Sequence, residues 1–239
     1  MGPYLTILFD DLTIMVKSWL VWIWLLVTAV SGVAAVLVGA AFTDPASFIL
    51  SWGLTLYLAL GSFVVIVIAA NATPPEQAYV GDAIISRGLT PAQYVLAKMT
   101  SRLFTVISLF LAVTIPASLA MLYMLGETND LSGIGVTFGL MHITFALAAL
   151  VILTMMFSSF FGNSMVSSVA ALLGWYTLMG LYALSQAKDF SPEGVLGQLP
   201  PLLRGSLVVS QNVLILSGTS GIILLLGALT VYLFQRRDL

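Results

Sequence analysis

Six long apolar stretches, each free of charged residues, divide this sequence of 239 residues. A bilayer core about 30 Å thick needs about 20 residues of helix to cross it, so each stretch is long enough to span a membrane. All 8 basic and 10 acidic residues lie between the stretches. The sequence therefore predicts an all-α polytopic membrane protein, a single domain over 1–239, with six transmembrane helices at 19–41, 48–70, 103–125, 135–157, 165–185 and 213–235.

The composition excludes several other classes of protein. Charged residues make up 8% of the chain, compared with about 25% in an ordinary soluble domain. The 8 Lys and Arg residues are dispersed and the net charge is −2, which excludes the basic surface that nucleic-acid binding needs. The chain has no Cys and one His, so disulfides, thiolate sites and metal sites with two imidazoles are excluded.

The charges between the spans predict the orientation. Asp10 and Asp11 precede the first span in place of a basic segment, so we expect an uncleaved anchor and not a signal peptide. An even number of spans puts both termini on one side, and the side richer in Lys and Arg is cytoplasmic. The side of the termini carries Lys17, Arg87, Lys98, Arg102, Arg236 and Arg237, and the other side carries Lys188 and Arg204. Both termini are therefore predicted to be cytoplasmic.

Residues 1–18 are predicted to form an elbow helix in the cytoplasmic interface. Apolar side chains recur at helical spacing, as amphipathic helices require: Leu5, Leu8, Phe9, Leu12, Val16 and Trp19. Polar side chains lie largely on the other side: Thr6, Asp10, Asp11, Thr13 and Lys17. Such a helix either touches a cytoplasmic partner or only leads into the first span.

The loop at 71–102 carries two helix-start signals. Thr73-Pro74-Pro75-Glu76 is a capping box with proline at the first helical position, and Gly88 is a suitable left-handed end for that helix. Thr90-Pro91-Ala92-Gln93 repeats the signal and predicts a second helix that continues through Lys98 and Arg102 into the third span. The first helix either docks to a soluble partner and transmits its motion, or merely caps the bundle.

The remaining connections carry weaker signals. The external loop at 186–212 has a helix start at Ser191-Pro192-Glu193 and a predicted stop at Pro200-Pro201, and it forms either a gate or a lid. We expect Glu127 and Asp130 to lie in a solvated external turn. Pro116 is expected to bend the third span, because it removes one helical hydrogen bond.

No catalytic constellation is evident. The Ser residues between 158 and 168 surround a tight turn and lie far along the helix axis from His142, so a Ser–His pair is excluded. His142 is a candidate pathway residue, or else a buried neutral side chain bonded to a neighbour's hydroxyl. Gly135 and Gly139 form a G-x-x-x-G on the fourth span, which permits close backbone approach.

The energy source for any transport is predicted to lie in another protein. The spans contain no ionisable side chain of the kind that ion-coupled secondary transport uses, apart from His142. The chain has no G-x-x-x-x-G-K-[ST] phosphate loop either. ATP hydrolysis would therefore belong to another polypeptide.

Two segments resemble a known family. The first segment consists of Glu76, followed by Gly81-Asp82-Ala83-Ile84-Ile85-Ser86-Arg87-Gly88-Leu89-Thr90-Pro91 and the residues up to Lys98. It is similar to a segment in the membrane subunit of type-2 ABC export permeases. In that family the segment has an acidic residue, a cytoplasmic coupling helix, and a following Pro and Lys. The ending Tyr232-Leu233-Phe234-Gln235-Arg236-Arg237 is similar to the basic ending of that family. The family's acidic residue is commonly followed closely by Gly-Thr, whereas here Gly81-Asp82 stands five residues on.

The resemblance implies a permease in the plasma membrane of a prokaryote. It implies a second permease copy or a related permease as one partner, two cytosolic ATP-binding subunits as others, and ATP and Mg²⁺ bound on those subunits and not on this chain. The coupling residues would be Glu76, Tyr79, Val80, Gly81, Asp82, Ala83, Ile84, Arg87 and Gly88. The alternatives are a stand-alone secondary transporter or channel, a haem-export membrane subunit, and a structural or assembly protein.

Overall fold

Residues 2–42, 44–72, 90–124, 129–186, 197–206 and 209–236 are described by a computed structural model. Within these ranges the chain is helical, with short connections and no strand. Eight helices are described. They are α1 (Pro3–Lys17), α2 (Trp19–Ala41), α3 (Ala46–Ala70), α4 (Pro91–Met124), α5 (Gly133–Phe161), α6 (Ser164–Gln186), α7 (Leu199–Leu203) and α8 (Val209–Gln235).

Six of these helices, namely α2, α3, α4, α5, α6 and α8, are long and apolar enough to cross a membrane. They coincide with the six predicted spans, which confirms the prediction of a polytopic membrane protein. Each is apolar on nearly all sides, as expected of a helix whose solvent is lipid. The ends agree less closely, since α4 begins twelve residues before the predicted third span. Pro116 lies inside α4, and the bend expected there stays a prediction.

The start of α4 has the predicted capping box. The backbone N–H of Thr90 donates to the side-chain oxygen of Gln93 at 3.2 Å, and the N–H of Gln93 donates to the Thr90 hydroxyl at 3.2 Å. These two bonds satisfy amides that the first turn of a helix leaves free. The sequence therefore located this helix start correctly.

The helices α3 and α5 form the centre of the bundle. Half of the most apolar window of each is buried, compared with 28% or less in the other four spans. The helix α5 packs against α3, α4, α6 and α8, while α2 packs against α3 and α4, and α1 packs against α4. The outer helices present exposed Leu, Val and Phe side chains, which is typical of a surface that lipid covers.

The bundle has two ends with different chemistry. The base comprises α1, the first turns of α2, α4 and α6, and the last turns of α3, α5 and α8. Contacts across the base include the stacked rings of Tyr94 and Phe234, 6.0 Å between centroids, and a 3.1 Å bond from the Ser158 hydroxyl to the Ala70 carbonyl. The far end comprises the start of α3, the turn before α5, and α7. Both ends of the described chain thus lie at the base, as an even number of spans requires.

Candidate functional site

The base contains a buried ionic cluster, formed by Asp11 of α1 with Lys98, Ser101 and Arg102 of α4. Lys98 Nζ lies 2.7 Å from Asp11 Oδ1, and Arg102 Nη1 lies 2.5 Å from Asp11 Oδ2. The Ser101 hydroxyl also donates to Asp11 Oδ2. The charged side chains are only 2–5% exposed. One carboxylate thus accepts from three donors out of contact with solvent.

The spacing of both helices explains this cluster. Residues three and four apart share a face of a helix, so Lys98, Ser101 and Arg102 project from one side of α4. On α1, Asp11 and Met15 share the face that α4 buries. Leu5, Phe9 and Val16 on another face are 41–63% exposed. The helix therefore has three faces, one packed on α4, one apolar and exposed, and one polar.

The prediction that Asp11 lies on the polar, solvated side of α1 is wrong. A two-sided pattern of apolar and polar residues does not distinguish a carboxylate in water from one that meets cations on another helix. The helix itself, which the sequence predicted within residues 1–18, is observed at Pro3–Lys17. Its position in a membrane interface stays a prediction.

The cluster joins α1 and α4 strongly. Removing one partner of a buried ion pair typically costs about 3–5 kcal/mol, because the remaining charge stays in a medium of low dielectric constant. A second bond, from the Tyr4 hydroxyl to the Thr100 hydroxyl at 2.9 Å, ties the start of α1 to the same helix. We conclude that α1 and the first part of α4 form one mechanical unit.

The predicted coupling residues lie outside the described residues, in the segment 73–89. They are Glu76, Tyr79, Val80, Gly81, Asp82, Ala83, Ile84, Arg87 and Gly88. The structure does describe both flanks of this segment. On one side Ala72 is 1% exposed after the end of α3, and on the other Thr90 opens α4. The segment therefore enters α4 eight residues before Lys98, within about 12 Å of the ionic cluster along the helix axis.

His142 lies half-buried on α5. Its Nδ1 is 2.8 Å from the carbonyl oxygen of Phe138, one turn back on the same helix. The expectation that a neighbour's hydroxyl satisfies this ring is wrong, because the helix's own backbone is the partner. Its role as a pathway residue stays a prediction.

The Ser and Asn residues between α5 and α6 cap the ends of these two helices. Gly162 ends α5 with φ of 68°, a left-handed conformation that favours glycine. The side-chain oxygen of Asn163 then accepts from the backbone N–H groups of Met165 and Val166. These contacts make a tight turn at the base and no catalytic pair.

A large apolar groove, which sequence reasoning missed, runs between α2 and α3. Its volume is about 660 Å³. Ser31, Asp44 and Tyr57 are the polar side chains in a wall otherwise made of Val, Leu, Ile, Ala, Gly, Phe and Trp. The Tyr57 ring stacks on Phe110 of α4 at 5.1 Å, so the inner wall of the groove is in contact with the helix that carries the ionic cluster. Small residues at Ser31, Ala34 and Ala35 were the available sequence signal.

The far end is tied by a second, more exposed ionic contact, which we call the clamp. Asp130 accepts from the backbone N–H of Ser47 at 2.8 Å and from its hydroxyl at 2.6 Å, and it lies 2.7 Å from Arg204 Nε. Arg204 Nε also donates to the Ser47 hydroxyl at 2.9 Å. Partial burial acts to raise the pKa of Asp130, but the Ser47 hydrogen bonds and the Arg204 charge outweigh it, so this pKa lies below its usual value.

The clamp corrects one expectation about the external turn. Asp130 is not a simply solvated residue, because it joins the start of α3, the turn before α5 and the end of α7. Glu127 lies outside the described residues. The sequence did not reveal this contact, since Ser47, Asp130 and Arg204 are far apart in the chain.

The short helix α7 packs directly on the backbone of α5. A Cβ at Gly135 would overlap the carbonyl oxygens of Leu202 and Leu203, and one at Gly139 would overlap the Leu203 side chain. The Ser132 N–H donates to the Leu203 carbonyl at 3.0 Å. The G-x-x-x-G of the fourth span therefore packs against the short helix α7.

Pro200 and Pro201 belong to a helix themselves, and the prediction that they stop a preceding helix stays a prediction. Both prolines lie inside α7, and Pro200 is at its second position, where the missing N–H is not needed. The predicted helix start at Ser191-Pro192-Glu193 lies outside the described residues.

Comparison with known proteins gives no assignment. No model of a known protein family matches the chain, and no curated protein matches it either. Across the described ranges, no three His, Asp or Glu side chains come together as a metal site would require. The class that the fold defines is a multi-pass membrane protein with six apolar helices.

Proposed function

We propose that this chain is the transmembrane permease subunit of an ATP-driven ABC exporter, and that it couples to a separate ATPase subunit. The observation that supports this most is the buried cluster of Asp11, Lys98 and Arg102. It fastens α1 to α4 at the point where the segment 73–89 enters the bundle. A six-span chain without a phosphate loop would depend on another protein for force. If that force arrives through the segment 73–89, the joint would transmit it to both helices.

The contacts around α4 support a route for the motion. A partner that pushes on residues 76–88 would move α1 and the start of α4 together, because the cluster joins them. The helix α4 packs on α2 and α5, and Phe110 of α4 contacts Tyr57 in the wall of the groove between α2 and α3. A shift of α4 would therefore change the width of this groove. In this proposal the groove belongs to the substrate pathway.

The proposal places the base in the cytoplasm, in agreement with the Lys and Arg count. Single cysteines introduced by Ser86→Cys and Gly126→Cys test this arrangement. They should react with a membrane-impermeant thiol reagent from opposite sides, with the Cys at position 86 accessible from the cytoplasm. Labelling of both from the same side would contradict the topology.

The proposed partnership with an ATPase is tested by isolating the tagged full chain from the membranes of its source. We expect Mg²⁺-dependent ATP hydrolysis to co-purify with it. The double charge reversal Asp82→Lys/Arg87→Glu should reduce the co-purified ATPase about tenfold or more, since both charges lie on the predicted docking helix. Membrane insertion should remain normal.

A matched control uses two charges on the polar face of α1. Asp10→Lys/Lys17→Glu also reverses one acid and one base at the base of the bundle, outside 73–89. It should leave the co-purified ATPase within about twofold of the unaltered chain. Equal ATPase with both double variants would contradict docking through this segment.

A further inference from the structure

The groove between α2 and α3 carries one negative charge and no positive one. Among the described residues that line it, Asp44 has the only carboxylate, and there is no Lys, Arg or His. Asp44 lies in the connection between α2 and α3, is exposed, and makes no ion pair or hydrogen bond within the described part of the chain. Arg204, the cation of the clamp, pairs with Asp130 instead. The carboxylate of Asp44 is therefore available to a cation from outside the chain.

Aromatic side chains line the same end of the groove. Phe42 directly follows α2 and is 58% exposed, and Phe48 and Trp52 lie on the first two turns of α3. The rings of Phe48 and Trp52 meet edge to face, with 6.4 Å between their centroids. The faces of aromatic rings attract cations, and quaternary ammonium groups are commonly recognised by such rings. Together with Asp44, these rings give this end of the groove the chemistry of a site for an organic ammonium group.

The rest of the groove has the length and polarity that suit an alkyl chain. Its wall extends from Leu26 to Val38 on α2 and from Phe48 to Leu60 on α3, about 18 Å along each helix axis. The helix α2 is about 35 Å long, enough to cross a hydrocarbon core about 30 Å thick, so Asp44 lies beyond that core at the far end. A molecule whose head contacts Asp44 would therefore extend its tail into the groove, within the hydrocarbon.

We propose that the groove between α2 and α3 binds a monocationic amphiphile, with its alkylammonium head at Asp44 and its alkyl chain along the apolar walls. The charge of the groove favours this ligand over a phospholipid, because the described lining has no basic side chain to balance a phosphate and Asp44 would repel one. That such an amphiphile is the transported substrate rests on the proposed function, in which the groove belongs to the substrate pathway. Binding itself requires no ATPase.

The test uses three amphiphiles with the same acyl chain. Myristoylcholine is the cation, the ester in which carbon replaces its quaternary nitrogen is the neutral isostere, and myristoyl lysophosphatidylcholine carries an added phosphate. Each is titrated separately into the full chain in a non-ionic detergent, and bound molecules are counted by native mass spectrometry. Because the partition of a compound into micelles is the same for every variant, each effect is measured as a ratio between variants for one compound.

Variants of the charged end test the head group. Asp44→Asn should weaken binding of myristoylcholine about threefold to fivefold, as expected for one exposed ion pair, and leave the neutral isostere unchanged. Trp52→Leu should weaken binding of the cation about threefold more than that of the isostere. Asp10→Asn, at an exposed carboxylate of the base, is the matched control and should change neither. Since Asp44 is exposed and makes no contact that Asn would break, Asp44→Asn should fold normally.

A second pair of variants tests the tail. Ala34 lines the groove and is exposed, so Ala34→Trp fills the groove from α2 and should weaken binding of both myristoylcholine and its isostere tenfold or more. Val33 is exposed on the same helix outside this groove, and Val33→Trp should leave both unchanged.

Three results would overturn the proposal. The first is binding of myristoylcholine that Asp44→Asn leaves unchanged. The second is an equal loss of lysophosphatidylcholine and myristoylcholine in Asp44→Asn, which would assign the groove to zwitterionic phospholipids. The third is loss of a dimer in Ala34→Trp, which would show that a second copy of the chain occupies the groove. The proposed function fails on a different observation, the absence of a co-purified ATPase, so the two proposals can fail separately.

Discussion

The two ends of the bundle use the same chemical groups in different surroundings. At the base, Asp11 accepts from Lys98, Arg102 and a serine hydroxyl, and the charged side chains are 2–5% exposed. At the far end, the side chains of Asp130 and Arg204 are 31% and 46% exposed. Burial decides how strongly a carboxylate binds a cation, because water screens the exposed pair and does not reach the buried one. The base should therefore be rigid and insensitive to solvent, and the clamp should be weaker and adjustable.

This difference agrees with the proposed role of the base. A joint that receives force from a soluble partner must not open when the force is applied. The clamp joins α3, α5 and α7 through hydrogen bonds that solvent can replace. The contrast also predicts how much folding stability each end loses when its contacts are removed.

The largest effect is expected at the base. Asp11→Ala removes the carboxylate from two buried cations and should lower the free energy of unfolding by about 3–5 kcal/mol. Thermal unfolding in lipid nanodiscs measures this change. The neighbouring Asp10, which is exposed, provides the control, and Asp10→Ala should change stability by less than about 0.5 kcal/mol. Equal effects at the two positions would contradict the claim that burial makes the contacts of Asp11 strong.

The next effect concerns packing at the far end. Gly135→Ala places a methyl group against two carbonyl oxygens of α7 and should cost about 1–3 kcal/mol through overpacking. Gly133→Ala meets nothing within 4 Å and is the matched control. Protease accessibility of the external loop, measured beside thermal unfolding, should rise only in Gly135→Ala. A tolerated Gly135→Ala would mean that α7 does not rest on α5.

The clamp itself is expected to contribute less. Asp130→Asn should lower stability by about 1–2 kcal/mol, because the bonds to Ser47 and Arg204 are charge-assisted but partly solvated. Asp44→Asn, at another exposed carboxylate of this end, should have no measurable effect. A loss as large as that of Asp11→Ala would show that partial exposure does not weaken the clamp.

The smallest effects come from pH and salt. Because the folded-state pKa of Asp130 lies below its usual value of about 3.9, the ionised clamp stabilises the protein fully above about pH 4, and this contribution is lost as the pH falls through the lowered pKa. The stability difference between the unaltered chain and Asp130→Asn should therefore shrink on acidification. Raising NaCl at neutral pH should also reduce that difference by a few tenths of a kcal/mol, while leaving the Asp11→Ala difference unchanged.

Hydropathy predicted the architecture because each span carries its own signal. A run of 20 or more apolar residues identifies a transmembrane helix without reference to any other part of the chain. The capping box at Thr90 is equally local and was also predicted correctly. The positions of α2, α3, α5 and α6 follow from the same kind of information.

The contacts between helices could not be predicted from such local patterns. Asp11 and Lys98 are 87 residues apart, and Ser47 and Arg204 are 157 apart. Nothing in either local sequence shows that the partner exists. The hydroxyl of Ser118 has no partner among the described residues, whereas that of Thr114 on the same helix bonds to its own backbone. Local sequence does not distinguish the two.

The rigidity of the joint between α1 and α4 tests the account most directly. Spin labels attached after Asp10→Cys and Leu96→Cys, both exposed positions, report the distance between the two helices by double electron–electron resonance. We expect a single narrow distance distribution in nanodiscs, which broadens when Asp11→Ala is added. A distribution that is already broad with Asp11 present, or one that Asp11→Ala leaves unchanged, would contradict the claim that this buried carboxylate makes α1 and α4 one unit.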